Sequence, residues 1–443
     1  MPSPVFVRVL QRLSTQSVRS IGYLGVSQVV TLLIPLLTTP WVLRALQPTG
    51  YGNYVLVTSI VGYGAVLIDF GFSVSATQHV ARIRDDRAAL TRYFWTVQCA
   101  RLILALIAVA MSVLIVIAVP KFRHLLPLTL AYAPYLVGSL LYPNWLFLGL
   151  ERIRLLAVSD VIARTAAVAP IFLLVRSPSD TASLALIWAA SSLLGGVLAC
   201  MLIAWHEFVG GFVRPTAGEI LAAYRDSWPL FVTRVSATLY SISNTVLLGL
   251  VQNSYQVGIF NAADKVRIYS LLPLDPFMSV FFPRISREMS RDPEKAVTTT
   301  RKLAVVLLAG MGAVSAILFL GARPIIRLLT GSEFDSAIGV LRILAVLPFI
   351  EAVTTILGSI AMVSIGLNRE LARIHVIAGL VNVALLIALG GRYGALGAAA
   401  ALTATYSLIA ITEAIALRKT GLLGALFGLR TATAAGYPKR PEM

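Results

Sequence analysis

The sequence predicts an all-α polytopic membrane protein of about twelve transmembrane helices, in two six-helix lobes related by pseudo-two-fold symmetry around a central cavity. Three observations predict it. The first is composition: 58% of the 443 residues are hydrophobic and only 13% are charged, about half the charged share of soluble domains. The second is a series of apolar runs, each supplying the roughly 20 residues that one crossing needs. The third is a likeness between the halves. At a fixed offset Gln28 pairs with Arg234, Thr39 with Thr245, Gly52 with Gly258, Tyr63 with Tyr269 and Asp69 with Asp275. Farther on, Gly149-Leu150-Glu151-Arg152 returns as Gly366-Leu367-Asn368-Arg369. Six crossings per half bring the chain back to its starting side, so the repeats are parallel.

Taken in order, residues 1–19 form an amphipathic cytoplasmic segment. Val5, Phe6, Val9, Leu10 and Leu13 fall opposite Arg8 and Arg12 on a helix, which suits the inner-leaflet surface. No cleavable signal peptide is expected, because the apolar run after Arg19 is longer than a signal h-region and stays as the first anchor. The first lobe, 20–206, holds spans near 20–43, 51–74, 93–119, 125–148, 155–175 and 182–205. A cytoplasmic linker, 207–226, carries Gly210-Gly211 and Pro215. The second lobe, 227–418, holds spans near 227–250, 255–282, 303–320, 336–365, 372–390 and 394–417, and a basic cytoplasmic tail, 419–443, follows. Orientation comes from charge. Arg82, Arg84, Arg87 and Arg92 crowd one connection, Arg152 and Arg154 another, and Arg284, Arg287, Arg291, Lys295, Arg301 and Lys302 a third, while intervening connections hold one or two cations. The positive-inside rule puts the crowded connections and both termini in the cytoplasm. Pro35, Pro40, Pro134, Pro143, Pro273, Pro276, Pro283 and Pro348 each remove a backbone donor and are expected to kink their spans.

The eighth span carries the strongest functional signal. Between Tyr255 and Phe282 it places Asn261, Asp264, Lys265, Arg267 and Tyr269 on one helical arc, with Ala262, Ala263, Val266 and Ser270 on the opposite, small side. An ionisable group at the middle of a span is unfavourable by at least about 2.5–3.5 kcal/mol, so this arc should face protein or a water-filled lumen. The seventh span adds Arg234, Thr238, Ser241 and Thr245 on one face, with Asn244 beside them, and Gln28 is the repeat-equivalent of Arg234. Two readings stay open for both arcs: a lumen wall, or helix-to-helix hydrogen bonding with an Asp264–Arg267 pair at i, i+3. Asp69 and Asp275 stand at matching span ends, where a helix cap or a salt bridge competes with proton or sodium binding. Asp160 precedes Arg164 by one helical turn, and Arg342, Glu351 and Glu413 lie in later spans, most of them as internal pairs. Glu351 has no basic residue within a turn and leads the ion-coupling candidates, with Asp264, Asp69 and Asp275.

Several function classes drop out. The net charge of +17 reflects cations held on one side of a membrane and not a nucleic-acid reader. Cys99 and Cys200 lie in apolar runs without metal-ligand spacing, the four histidines are scattered, and no Walker-type loop or zinc-protease motif occurs. No cofactor, metal or catalytic residue is expected, so the chain reads as a transporter and not an enzyme. Without a nucleotide site, a proton or sodium gradient is the expected energy source.

Three stretches carry a family resemblance: Ala45-Leu46-Gln47-Pro48-Thr49-Gly50-Tyr51-Gly52-Asn53-Tyr54, Asp69-Phe70-Gly71-Phe72, and Pro143-Asn144-Trp145-Leu146-Phe147-Leu148-Gly149-Leu150-Glu151. In that order, with twelve spans and the six-plus-six repeat, the chain resembles the multidrug/oligosaccharidyl-lipid/polysaccharide (MOP) exporter superfamily, most closely its O-antigen and polysaccharide flippase branch. The resemblance implies a flippase of the bacterial inner membrane. It would move undecaprenyl-diphosphate-linked sugar repeat units from the cytoplasmic to the periplasmic leaflet by alternating access, through a cationic cavity. Polysaccharide polymerase or assembly proteins are its implied partners. On that reading Arg234, Lys265 and Arg267 offer charge-assisted contacts to the diphosphate, while Gln28, Asn244, Asn261 and Tyr269 bond sugar hydroxyls.

Rival classes remain open at this stage. A lipid II flippase resembles the same fold but carries arginines in its first span, where this chain has Gln28 and no cation before Arg44. A cation-coupled exporter of small molecules places a carboxylate there, and no Asp or Glu occurs between Ser20 and Ile68. A polyprenyl-linked glycosyltransferase or polymerase needs a sizeable external platform, which connections of roughly 4 to 15 residues do not give. An assembly scaffold would leave a buried cationic arc without purpose.

Overall fold

Backbone groups inside lipid have to be satisfied internally, and a helix does so within a single segment. The described residues form helices and no strand. The computed structural model describes residues 15–419 and 423–424, with side chains from 33 onward except 233, 236–242, 275, 276, 280, 290 and 293. The expected N-terminal segment up to residue 14 and nearly all of the basic tail lie outside the described residues.

The chain begins with α1 (Thr15–Asp69), α2 (Phe72–Ile83) and α3 (Arg87–Ala118). A broken span follows, made of α4 (Leu126–Tyr132), α5 (Pro134–Leu141) and α6 (Asn144–Gly149), and then α7 (Ile153–Leu174) and α8 (Thr181–Trp205). Next come α9 (Ala217–Val251), α10 (Ser254–Ser270), α11 (Leu274–Arg291), α12 (Pro293–Leu320) and α13 (Ala322–Thr330). The last are α14 (Ala337–Leu344), α15 (Leu347–Thr354), α16 (Asn368–Leu385) and α17 (Gly391–Lys419).

Among the described residues, 8 helical segments suffice by length and composition to cross a membrane. Two of them have double length: Leu33–Ile83, with 51 residues, turns at Gln47, and Asn368–Lys419, with 52, turns at Gly394. At about 20 residues per crossing each divides into two. With α9 and the α10–α11 pair, the twelve expected crossings are accounted for. Helix α9 starts at Ala217, inside the stretch 207–226 expected as the linker. Thr216 and Glu219 explain that start. The Thr216 N–H donates to Glu219 Oε2 at 2.7 Å and the Glu219 N–H donates to Thr216 Oγ1 at 3.3 Å, a reciprocal capping box.

Prolines break the helices at Pro134, Pro143, Pro273 and Pro348, as expected of residues that cannot donate to the preceding turn. Pro35 and Pro40, and Pro276 and Pro283 in α11, behave differently: the backbone stays helical through all four. The only non-helical residue of α1 is Gln47 (φ 57°), which precedes Pro48.

Two compact units emerge, Met1–Leu46 with Asn53–Thr238, and Gln47–Gly52 with Leu239–Met443. In the first, α8 packs on α5 and α7, and α2 packs on α6. Phe72, Phe94, Trp145 and Phe147 are buried at its core. Asp86 caps α3 by accepting from the Ala88 and Ala89 N–H groups at 3.0 Å. Leu106, Leu114 and Leu173 stay exposed on long apolar helices, where lipid rather than water covers them. The Asp69-Phe70-Gly71-Phe72 stretch is a left-handed turn, with φ 42° at Phe70 and 81° at Gly71. Phe70 then stacks on Phe231, with ring centroids 4.3 Å apart.

In the second unit, α10 packs on α14 and α17, while α12 lies against α11 and α15. Residues Thr355–Met362 wind as a wide π-helical turn. The segment Gln47–Gly52 meets α10 backbone to backbone. A Cβ at Gly52 would overlap the Ser254 carbonyl, and one at Gly258 would overlap the Pro48 carbonyl, so both positions need a bare Cα. The repeated turns after the fourth and tenth spans differ in detail. Gly366 is left-handed (φ 82°), whereas in the first half the left-handed residue is Glu151 (φ 58°), two positions after Gly149.

Candidate functional site

Helix α10 brings the charged arc together. Asn253 caps it by accepting from the Gln256 N–H at 3.0 Å, and Val257, Ile259, Phe260, Ala262, Ala263 and Val266 bury its apolar side. That burial turns the charges toward one place. Arg267, 7% exposed, donates from Nε to Asp264 Oδ1 at 2.6 Å and from Nη1 to Glu351 Oε1 on α15. The i, i+3 pair is therefore present, and Glu351, which has no cation on its own helix, receives one from 84 residues away in sequence. One guanidinium between two carboxylates leaves the trio net negative. Lys265 restores the balance: it is half-buried on the same helix and makes no hydrogen bond or ion pair with the described residues. Tyr269 is half-buried one turn farther along.

Acids distant in sequence face two of the three cations: Glu351 meets Arg267, and Asp69 lies 3.8 Å from Arg234. Among the described residues, Lys265 is the member of the three without an ion pair.

The amides of this unit are committed to neighbours. Asn261 donates from Nδ2 to the Val257 carbonyl at 2.9 Å and accepts from Thr245 Oγ1 at 3.0 Å, joining α10 to α9. Asn244 accepts from Asn382 Nδ2 at 2.6 Å, and Asn382 accepts from Thr405 Oγ1 at 3.1 Å. All three are buried, so the chain ties α9, α16 and α17 together, which is the helix-to-helix alternative for this polar face. Sequence reasoning missed Asn382 and Thr405, although a lone Asn inside an apolar run is itself a signal. Glu413 was grouped with the internal pairs and is corrected: it is fully buried, and neither carboxyl oxygen has a partner among the described residues. Its Oε1 lies against Gly358 in the π-helical turn, where the missing side chain leaves it room.

In the first unit, Asp69 accepts from Ser73 Oγ at 3.0 Å besides lying near Arg234, the salt-bridge alternative for that residue. Asp69 also borders a cavity of about 320 Å³ that the sequence did not reveal. Asp160 lies in its wall and is held at both oxygens by Arg164 Nε, 2.9 Å each. The side chains of Gln28, Thr238, Ser241 and Asp275 lie outside the described residues. Among the described residues no group of three or more His, Cys, Asp or Glu could hold a metal ion.

With this geometry in place, comparison with known proteins is informative. The family of polysaccharide biosynthesis proteins matches residues 17–289. An Escherichia coli strain K12 protein named "Putative O-antigen transporter" is 30% identical over 405 residues, spanning 91% of this chain and 97% of its own. The "Probable low-salt glycan biosynthesis flippase Agl15" of Haloferax volcanii is 22% identical over 385 residues, covering 84% of this chain and 77% of its own. Among solved structures, the lipid II flippase MurJ in its inward closed conformation aligns with a TM-score of 0.72 at 14% identity, covering 93% of this chain and 91% of that one. An inward-facing multidrug resistance MATE family transporter of the MOP superfamily aligns with a TM-score of 0.68 at 17% identity, covering 91% and 98%. These relatives carry transporter and flippase names, none an enzyme's. The chain is thus a multi-pass membrane transporter with the fold of the MOP superfamily, and it belongs to the family of polysaccharide biosynthesis proteins.

Proposed function

We propose that this protein is a flippase for undecaprenyl-diphosphate-linked oligosaccharide repeat units of the O-antigen or exopolysaccharide type. It carries them from the cytoplasmic to the periplasmic leaflet of the bacterial inner membrane, with both of its termini in the cytoplasm. The names of the relatives support the substrate class. The observation that carries the reading is Lys265, a cation beside the Asp264–Arg267–Glu351 trio that makes no direct ion pair among the described residues. Its ammonium balances the trio through space and is not fixed to either carboxylate, so it is the cation of the group best able to turn to an anionic ligand. A lipid diphosphate is anionic, and its polyprenyl tail can stay in the bilayer.

The trio supports a coupling scheme. Arg267 is held by Asp264 and Glu351, so a proton or sodium ion taken up by either carboxylate competes with the guanidinium and releases it toward the diphosphate. Ion and substrate then favour each other's binding by the same factor.

Reconstitution into liposomes tests the function. A labelled polyprenyl-diphosphate sugar placed on one leaflet should exchange faster with protein present, and a cationic dye should not. Dye transport without lipid exchange would replace the reading with small-molecule export. Coupling is tested in the same vesicles: Glu351→Gln should flip at a rate that no longer responds to an imposed proton or sodium gradient. A wild-type response in that variant would remove Glu351 from the scheme.

A further inference from the structure

Glu413, near the end of α17 in the second unit, is an acid without a base. It is 0% exposed, and neither carboxyl oxygen has a partner among the described residues. The elements around it meet in an apolar cluster that includes Leu357, Met362, Leu371 and Leu417. No charged side chain among the described residues acts on it. The π-helical turn Thr355–Met362 carries none, Glu351 of α15 is held by Arg267, and Glu370 and Arg373 of α16 pair with each other at 3.5 Å. His375 turns its ring to the Leu371 carbonyl at 2.9 Å, and Arg301, Lys302, Arg369, Arg418 and Lys419 are exposed. An ionised carboxylate in such surroundings is strongly unfavourable, so Glu413 carries its proton.

The element against it is unusual as well. A π-helical turn is rare and concentrates at functional sites. Its cause here is local: the Thr354 and Thr355 hydroxyls both donate to the Glu351 carbonyl, at 3.1 and 2.7 Å, and such bonds back to the preceding turn loosen the ordinary ladder. Within the turn, Gly358 has no side chain, and a Cβ there would overlap the Glu413 carboxyl. The carboxyl therefore fills the notch that the glycine leaves. Fit and charge act together, because the notch offers volume to a neutral carboxyl and no partner to a charged one.

We propose that Glu413 is a proton-binding latch for this turn. With its proton, the carboxyl stays in the Gly358 notch and α17 is closed on Thr355–Met362. When the O–H bond breaks and the proton passes to water, the carboxylate leaves the notch and the turn separates from α17. The closed form binds one proton more than the open form, so falling pH favours closure and rising pH opens it. The turn starts from the Glu351 carbonyl, so its opening reaches the helix that clasps Arg267. The latch is a site separate from that clasp, and it stands without the flippase reading.

Infrared spectroscopy and amide exchange on the purified, full-length protein in detergent test the latch. At neutral pH the spectrum should contain the carbonyl stretch of a protonated carboxyl, lost in Glu413→Gln and kept in Glu351→Gln. Exchange of the amides of Thr355–Met362, corrected for intrinsic rates, should accelerate as pH rises, by up to about tenfold per pH unit for one linked proton. In Glu413→Gln, whose amide is neutral at every pH, the same exchange should be flat. Packing is tested apart from charge: Gly358→Ala should speed exchange of the turn at every pH, and Glu413→Ala added to it should restore protection. A Glu413→Gln spectrum identical to wild type, exchange that follows pH equally in both proteins, wild-type protection in Gly358→Ala, or no rescue in the double variant overturns the latch. None of these readouts uses a substrate. A latch that fails leaves the flippase reading in place, and failed leaflet exchange in liposomes leaves the latch in place.

Discussion

Arg267 on α10 donates from Nη1 to Glu351 on α15, while its Nε is held by Asp264 on its own helix. The guanidinium is thus the clasp between two helices as well as a cation of the candidate site. Arg267→Ala should destabilise the protein by roughly 3–5 kcal/mol, because it leaves two facing, half-buried carboxylates without the guanidinium that joins them. Adding Glu351→Gln should recover part of that loss. Thermal unfolding in detergent measures both, and a single variant as stable as wild type would dissolve the clasp.

Lys265 has no such structural duty. Lys265→Ala should therefore accumulate and unfold like wild type, while its flipping falls well below the wild-type rate at equal protein. Lys265→Arg should retain more activity than the alanine variant, because charge is kept although geometry changes. Leaflet exchange of the diphosphate-linked lipid is the readout, and wild-type exchange in Lys265→Ala removes the ammonium from substrate binding.

Glu219 gives a pH signature outside the membrane. A hydrogen bond from Arg92, then bonds from the Thr216 N–H and hydroxyl, hold its carboxyl down at about 2 from an ordinary 4.5. A depressed carboxyl contributes its stabilisation above its unfolded value and loses it as pH falls through the folded one. The tether between the start of α9 and α3 should hold at neutral pH and loosen between about pH 4.5 and 2. Amide exchange around residues 216–220 should speed up in that window. Exchange that is flat with pH, after correction for intrinsic rates, would mean the bond contributes nothing.

Glu413 offers a stability test. A buried carboxyl with no partner is unfavourable, so Glu413→Met should raise stability by roughly 1–3 kcal/mol. A fall in the unfolding temperature would show that a partner is present.

Much of the fold was legible because hydropathy is local: a crossing is written in consecutive residues, and the arginine-rich connections Arg82–Arg92 and Arg284–Lys302 are written beside it. The Asp264–Arg267 pair was legible for the same reason, since one helical turn fixes its geometry. Glu351 was not, because its cation is supplied by a helix 84 residues away in sequence. The same limit hid the Asn244–Asn382–Thr405 chain and the cavity beside Asp69, whose walls come from elements separated by many residues. Proline is a weaker local signal: helices run unbroken through Pro35, Pro40, Pro276 and Pro283, and the turn of α1 comes at Gln47, where a proline follows.

Gly52 and Gly258 occupy equivalent places in the two halves of the sequence and touch through main chain alone. What a side chain would strike at either position is a carbonyl, and a carbonyl cannot be mutated smaller. No second-site change elsewhere can restore the lost space, so the usual escape route of a crowded core, trimming the neighbour, is closed here. These two positions admit a single amino acid each, and any reporter group introduced to follow this protein has to be attached somewhere else.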